Sequence, residues 1–193
     1  MTKFEIVEAH MYQILKQIIK TGIKTETPPQ ADESMRLIEQ RLQQEILDAF
    51  GGALAIRMVD AGSCNGCELE IHAVNNAYYN IEGLGIKFVA SPRHADLLLV
   101  TGPVSRHMEI ALKRTYDATP EPKLVVAIGD CACDGGIFCS DGATGAGENY
   151  ATCGKVSNVI PVDVAVSGCP PTPVAILQGI LTAISAGRHV AQK

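Results

Sequence analysis

From residue 53 onward the chain repeats one rhythm: a short apolar run, a loop, then a stretch at helical spacing. The runs cover residues 53–59, 86–90, 96–100, 124–128 and 162–166, and helical patterns fall near 67–79, 105–117 and 171–186. The runs are aliphatic and β-branched and do not alternate with polar residues, the pattern of strands covered on both faces. Strands and helices in this order connect through right-handed crossovers into a mostly parallel sheet.

The fold expected is α/β, a flavodoxin-like three-layer sandwich preceded by a helical N-terminal extension. In the extension Phe4, Val7, Met11, Leu15, Ile18 and Ile19 recur at helical spacing, and Gly22 with Thr27-Pro28-Pro29 marks a linker over 21–31. A second amphipathic helix spans 32–50, with Met35, Leu37, Ile38, Leu42, Ile46 and Leu47 on its apolar side, and Gly51-Gly52 stops it. The domain organisation expected is an amphipathic helix and linker at 1–31 and a single α/β domain at 32–193. The first fifty residues suit an arm that docks on a partner and a layer packed on their own domain equally well.

At 193 residues, 47% of them hydrophobic and 19% charged, the chain can bury a full core. A net charge of −5 without any Lys/Arg run argues against nucleic acid as the partner. The nearly apolar stretch 174–186 is broken by Gln178 and is too short to span a bilayer. Glu5, Glu8 and His10 stand where a secretory signal needs an apolar run. The expected location is the cytoplasm, or the cytoplasmic side of a membrane.

Seven cysteines suggest metal ligands or redox chemistry in such a compartment, where disulfide frameworks are rare. Their positions follow the strands: Cys64 and Cys67 come after the first run, Cys131 after the fourth and Cys169 after the fifth. In a parallel sheet the C-terminal strand ends share one edge, where ligands bind in the crevice between loops. Four thiols therefore converge, as either a Cys₄ zinc site or an iron–sulfur cluster requires. Zinc ligands usually come from compact paired knuckles, whereas a cubane accepts ligands from distant loops. Gly62, Gly66, Gly129, Gly135, Gly136 and Gly168 would let backbone approach inorganic sulfide closely. Cys133, Cys139 and Cys153 are expected to be bystanders, because a free thiol is also a small hydrophobe.

The motifs C-x-x-C-E (Cys64, Cys67, Glu68), G-x-C-A-x-x-G-G (Gly129, Cys131, Ala132, Gly135, Gly136) and G-C-P-P-x-P (Gly168 to Pro173) occur in this order. Together with Ser91-Pro-Arg-His-Ala-Asp96 they resemble the family shared by the complex I 20 kDa (B-type) subunit and the small subunits of [NiFe] hydrogenases. The resemblance implies that Cys64, Cys67, Cys131 and Cys169 hold one [4Fe-4S] cluster at the interface with a large catalytic subunit. The chain would then relay electrons, with no catalytic residue, flavin or nucleotide of its own. B-type subunits carry adjacent cysteines in the first motif; the spacing Cys64-Asn-Gly-Cys67 is hydrogenase-like. The resemblance extends to the membrane-bound, energy-converting hydrogenases of formate hydrogenlyase and CO-linked type. The partners implied are a [NiFe] hydrogenase-type or complex I-type large subunit, a ferredoxin-like iron–sulfur subunit and membrane subunits.

Glu68, Glu70, Asp130 and Asp134 lie close in sequence to the cysteines and could take up a proton on reduction. Glu68 also suits the first turn of a helix, where an acidic side chain favours the dipole. Arg93 and His94 precede the third strand and could face the partner or the cluster, or be merely solvated. Two rivals explain less. A thioredoxin-like oxidoreductase accounts for C-x-x-C alone, and a nucleotide binder would need a G-x-G-x-x-G or Walker-type motif that the loop at 61–66 lacks.

Overall fold

The computed structural model describes residues 33–138 and 148–191, with Tyr12, Gln13, Lys16, Gln17, Ile19, Lys20 and Gly22 before them. The chain divides into two units, Met1–Asp32 and Glu33–Lys193. In the first, the described residues from Tyr12 to Lys20 are helical, with Tyr12 and Ile19 exposed. The rest of the helix expected over 4–19, and most of the linker, lies outside the described residues.

The second unit runs α1 (Glu33–Phe50), β1 (Leu54–Asp60), α2 (Gly66–Ala73), β2 (Ile86–Phe88), β3 (Leu97–Thr101), α3 (Glu109–Ala118), β4 (Leu124–Ile128), α4 (Asp130–Cys133), β5 (Val164–Val166) and α5 (Pro173–Ala191). The five strands form one sheet in the order β2-β1-β3-β4-β5, and every pair is parallel. This is the flavodoxin-like doubly wound order, as expected.

Alternation along the strands sends their side chains into two cores. Leu54 and Ile56 of β1, Leu97 and Leu99 of β3, and Val126 and Ile128 of β4 pack beneath Leu42 and Ile46 of α1 and Ile176 and Ile180 of α5. Val59, Leu98, Val100, Val125 and Ala127 point the other way, towards Leu112 of α3 and the loop residues Val104, Val156 and Ile160. Helix α1 packs on α5, so residues 33–50 form a layer of their own domain. Its buried stripe is narrower than expected, because Leu37 and Leu47 are exposed.

Three helix boundaries differ from the sequence pattern, each for a local reason. Helix α2 ends at Ala73 instead of near 79. The Asn76 carboxamide oxygen accepts the backbone N–H groups of Tyr78 (2.8 Å) and Tyr79 (3.1 Å), a turn that competes with the helix. Helix α3 starts at Glu109 instead of near 105. There the backbone of Val104, Ser105 and Arg106 is bonded instead to residues 151–154 and to Ala61. Helix α5 continues to Ala191, and its propensity is not broken by Gly187.

Two aspartates pin strand entrances. Asp96 donates its N–H to the Ala55 carbonyl (2.8 Å) and accepts the Ala55 N–H on Oδ2 (2.9 Å). Asp163 does the same to Val125, at 2.9 and 2.7 Å. Each ties the start of one strand to its neighbour, which fixes the register of β3 on β1 and of β5 on β4.

Candidate metal centre

The loop after β1 is shaped by Asp60, whose Oδ1 accepts the N–H groups of Gly62 (2.8 Å) and Ser63 (2.9 Å). Ser63 Oγ in turn accepts the Asn65 N–H at 3.3 Å. Asn65, between the two cysteines, adopts φ +73°, a left-handed conformation that asparagine tolerates better than most residues. This turn places Cys64 exposed before α2 and Cys67 half-buried within its first turn.

The loop after β4 begins with Gly129 at φ +89° and winds at once into the short helix α4, which carries Cys131. Asp134 Oδ1 accepts the Gly136 N–H at 2.7 Å and turns the chain back over that helix. The loop after β5 carries Gly168 and the exposed Cys169, and the Cys169–Pro170 peptide is cis. Asp130 joins these two loops: its Oδ1 accepts the Gly168 N–H (2.7 Å) while its own N–H donates to the Gly168 carbonyl (2.9 Å).

Cys64, Cys67, Cys131 and Cys169 meet at the C-terminal edge of the sheet, close enough that the other three bear on the ionisation of Cys67. Burial, then the neighbouring Glu68 carboxylate, then the other three thiols push Cys67 up to about 12. Burial, followed by Cys169 and Cys64, also raises Cys131. A helix N-terminus ordinarily favours a thiolate, but here desolvation and crowding of like charge outweigh it. A positive centre would reverse that balance, since metal-bound thiols are deprotonated outright.

Two of the glycines make room for a cysteine sulfur, while Gly62 packs on Pro103 and Ser105 and Gly168 on Pro171. A Cβ on Gly129 would lie 2.5 Å from Cys67 Sγ, and one on Gly136 would lie 2.9 Å from Cys131 Sγ. Among the described residues, no group of three or more Cys, His, Asp or Glu side chains is placed to hold a metal ion. Four thiols drawn from three loops around one space are the donor set that an iron–sulfur cluster takes.

The remaining sequence candidates separate. Glu68 is buried in the first turn of α2, yet neither carboxylate oxygen has a hydrogen-bond partner, so it forms no capping bond. Glu70 is half-buried on the same helix. Arg93 and His94 occupy the 3-10 turn Pro92–His94 at the N-terminal end of β3, the sheet edge opposite the cysteine loops. Cys133 turns towards the α3 core, its Sγ 3.7 Å from the Ala127 carbonyl, and burial pushes it up to about 11. Cys153 is buried and donates to Glu109 Oε2 at 3.4 Å. Cys139 lies outside the described residues. Sequence reasoning missed Asp60, whose signal was its place immediately before the Ala61-Gly62 turn, and the tie from Asp130 to Gly168, which had none.

Residues 64–183, which include all four cysteines, match the family model described as the NADH ubiquinone oxidoreductase 20 kDa subunit. A probable membrane-bound hydrogenase subunit of Pyrococcus furiosus is 43% identical over 76% of this chain and 83% of its own. Formate hydrogenlyase subunit 7 of Escherichia coli is 39% identical over 81% of this chain and 57% of its own. An NADH-quinone oxidoreductase subunit of Desulfovibrio desulfuricans is 43% identical over 60% of this chain and 58% of its own. Among solved structures, a chain of a membrane-bound sulfane sulfur reductase, an archaeal respiratory membrane complex, superposes with a TM-score of 0.61. It is 32% identical and covers 74% of this chain and 76% of its own.

Proposed function

The chain belongs to the family of the NADH ubiquinone oxidoreductase 20 kDa subunit, and from that premise we propose that it is the electron-transfer subunit of a membrane-bound [NiFe] hydrogenase. In this proposal Cys64, Cys67, Cys131 and Cys169 hold one [4Fe-4S] cluster, through which electrons pass to or from a catalytic large subunit. The observation that carries it is the convergence of these four thiols from three strand-end loops, with each of Cys67 and Cys131 backed by a glycine.

The spacing Cys64-Asn-Gly-Cys67 and the relatives support the hydrogenase assignment. The two hydrogenase-type relatives extend along 76% and 81% of this chain, and the quinone oxidoreductase relative along 60%. A complex I-like quinone reductase would use the same fold and cysteines with a different large subunit.

Bound there, the cluster supplies reversible one-electron transfer. The chain's own residues hold the site in one geometry. Asp60 and Ser63 set the first cysteine loop, and Asp134 folds the second. Asp130 locks the second loop to the third. Cys64 and Cys169 are exposed and Cys67 is half-buried, so the site is shielded on the sheet side and open on the other. Leu69, Ile137 and Phe138, exposed beside the cysteine loops, offer apolar surface that a large subunit would cover.

The test is an anaerobic preparation of the native complex through a tag on this chain. Cys131→Ala is expected to abolish its cluster signal and Cys153→Ala to leave it intact; the reverse pattern would show that the ligands are misassigned. Hydrogen-dependent dye reduction by the intact complex supports the hydrogenase. Its absence from an iron-replete complex points to quinone or another acceptor.

A further inference from the structure

Arg57 places a cation in the middle of β1, among Leu54, Ala55, Ile56, Met58 and Val59. Leu54, Ile56 and Met58 face the α1 and α5 core while Val59 faces the other, so alternation puts Arg57 on the α3 face of the sheet. Lys87 of β2 lies on the same face, since it pairs with Ala55, two residues from Arg57. On this face α3 and the loop residues cover β3 and β4. The link from β2 to β3 holds only the turn Pro92–His94, against which α3 packs, and it supplies no helix over Arg57 and Lys87. Lys87, Arg93 and His94 are exposed, and Arg57 and Val89 are half-buried.

The charge on this half-face is unbalanced. Among the described residues no carboxylate pairs with Arg57, Lys87, Arg93 or His94. Arg57 Nε is buried and has no hydrogen-bond partner. Asp96, the acidic residue on the adjoining turn, spends Oδ2 on the Ala55 N–H. Three cations, Arg57, Lys87 and Arg93, thus share this half of the sheet with His94 in a chain whose net charge is −5. A buried guanidinium N–H without an acceptor is costly, and a guanidinium favours the two oxygens of a carboxylate.

We propose that this half-face receives an acidic segment of a partner subunit, one Asp or Glu side chain accepting from Arg57 and another meeting Lys87. The occupant is protein and not an anionic lipid surface, because Arg57 is set into the floor of the sheet. A protruding side chain reaches it, whereas a broad headgroup layer meets Lys87, Arg93 and His94 first. The proposal rests on the chain being one subunit of a larger complex and does not depend on the cluster.

The native complex is treated with a zero-length carbodiimide, which joins lysine amines to carboxylates, and the linked peptides are identified by mass spectrometry. Lys87 is expected to join an Asp or Glu of another subunit. Arg57→Gln with Lys87→Glu is expected to weaken retention of this subunit at raised salt by about tenfold, with the cluster signal unchanged. Lys87→Glu alone, at an exposed site, is expected to show part of that loss and separates it from misfolding. The proposal is overturned if Lys87 forms no link to another subunit, if its links stay within this chain, or if salt tolerance is unchanged. It is also overturned if the variants instead lose flotation with anionic vesicles while the subunits stay together.

Discussion

Asp130 and Gly168 bind each other twice, side chain to backbone and backbone to backbone, at 2.7 and 2.9 Å. One residue precedes Cys131 and the other precedes Cys169, so this pair fixes the distance between two cysteines 38 positions apart in sequence. Asp96 and Asp163 make the same two-point attachment at the strand entrances. The fold uses one device three times, and once at the candidate metal centre.

Asp130→Ala removes an acceptor from a charge-assisted bond, worth about 1.5–3 kcal/mol. The urea midpoint of the variant should fall, and its iron occupancy should fall with it. Asp130→Asn keeps an Oδ1 acceptor and should retain most of both. Equal losses in the two variants would assign the effect to charge instead of to the tie.

Gly129→Ala meets two obstacles. Its φ of +89° suits glycine, and the new Cβ would lie 2.5 Å from Cys67 Sγ. The backbone strain alone costs about 1–3 kcal/mol, and displacement of Cys67 should also lower iron content. Gly52→Ala, with nothing near its Cβ and no positive φ, is the control and should leave iron content unchanged.

The parallel sheet was legible because covered strands are written as short aliphatic runs, and residues 124–128 match β4 to the residue. The convergence of Cys64, Cys67, Cys131 and Cys169 followed from topology, since strand ends in a parallel sheet share an edge. Bonds between side chain and backbone were not legible. Asn76 ends the expected helix early, Asp60 orders its own turn, and the roles of Asp96 and Asp163 depend on which strand lies beside which. Nor does sequence distinguish an acidic residue that orders a loop, such as Asp134, from one left without a partner, such as Glu68.

Alkaline pH should destabilise the iron-free chain. Cys67 rises from 9.0 to about 12 and Cys133 from 9.0 to about 11, so the native state keeps protons that the unfolded chain releases. Stability is then fully present below about pH 9 and declines as pH climbs towards 11 and 12. Urea midpoints at about pH 8 and about pH 10.5 should show the fall, and Cys67→Ala with Cys133→Ala should flatten it. A wild-type midpoint that does not move over this interval would contradict the assignment.

Glu68 is 4% exposed, and neither of its oxygens has a hydrogen-bond partner. An unpartnered buried polar group costs about 1–3 kcal/mol. Its place in the first turn of α2 returns only about 0.3–1 kcal/mol through the helix dipole, so the cost wins. Glu68→Met, which keeps the length of the side chain, should therefore raise the urea midpoint of the iron-free chain. Glu68→Gln retains polar atoms in the same place and should gain much less. A lower midpoint for the methionine variant would mean that the carboxylate has a stabilising contact there.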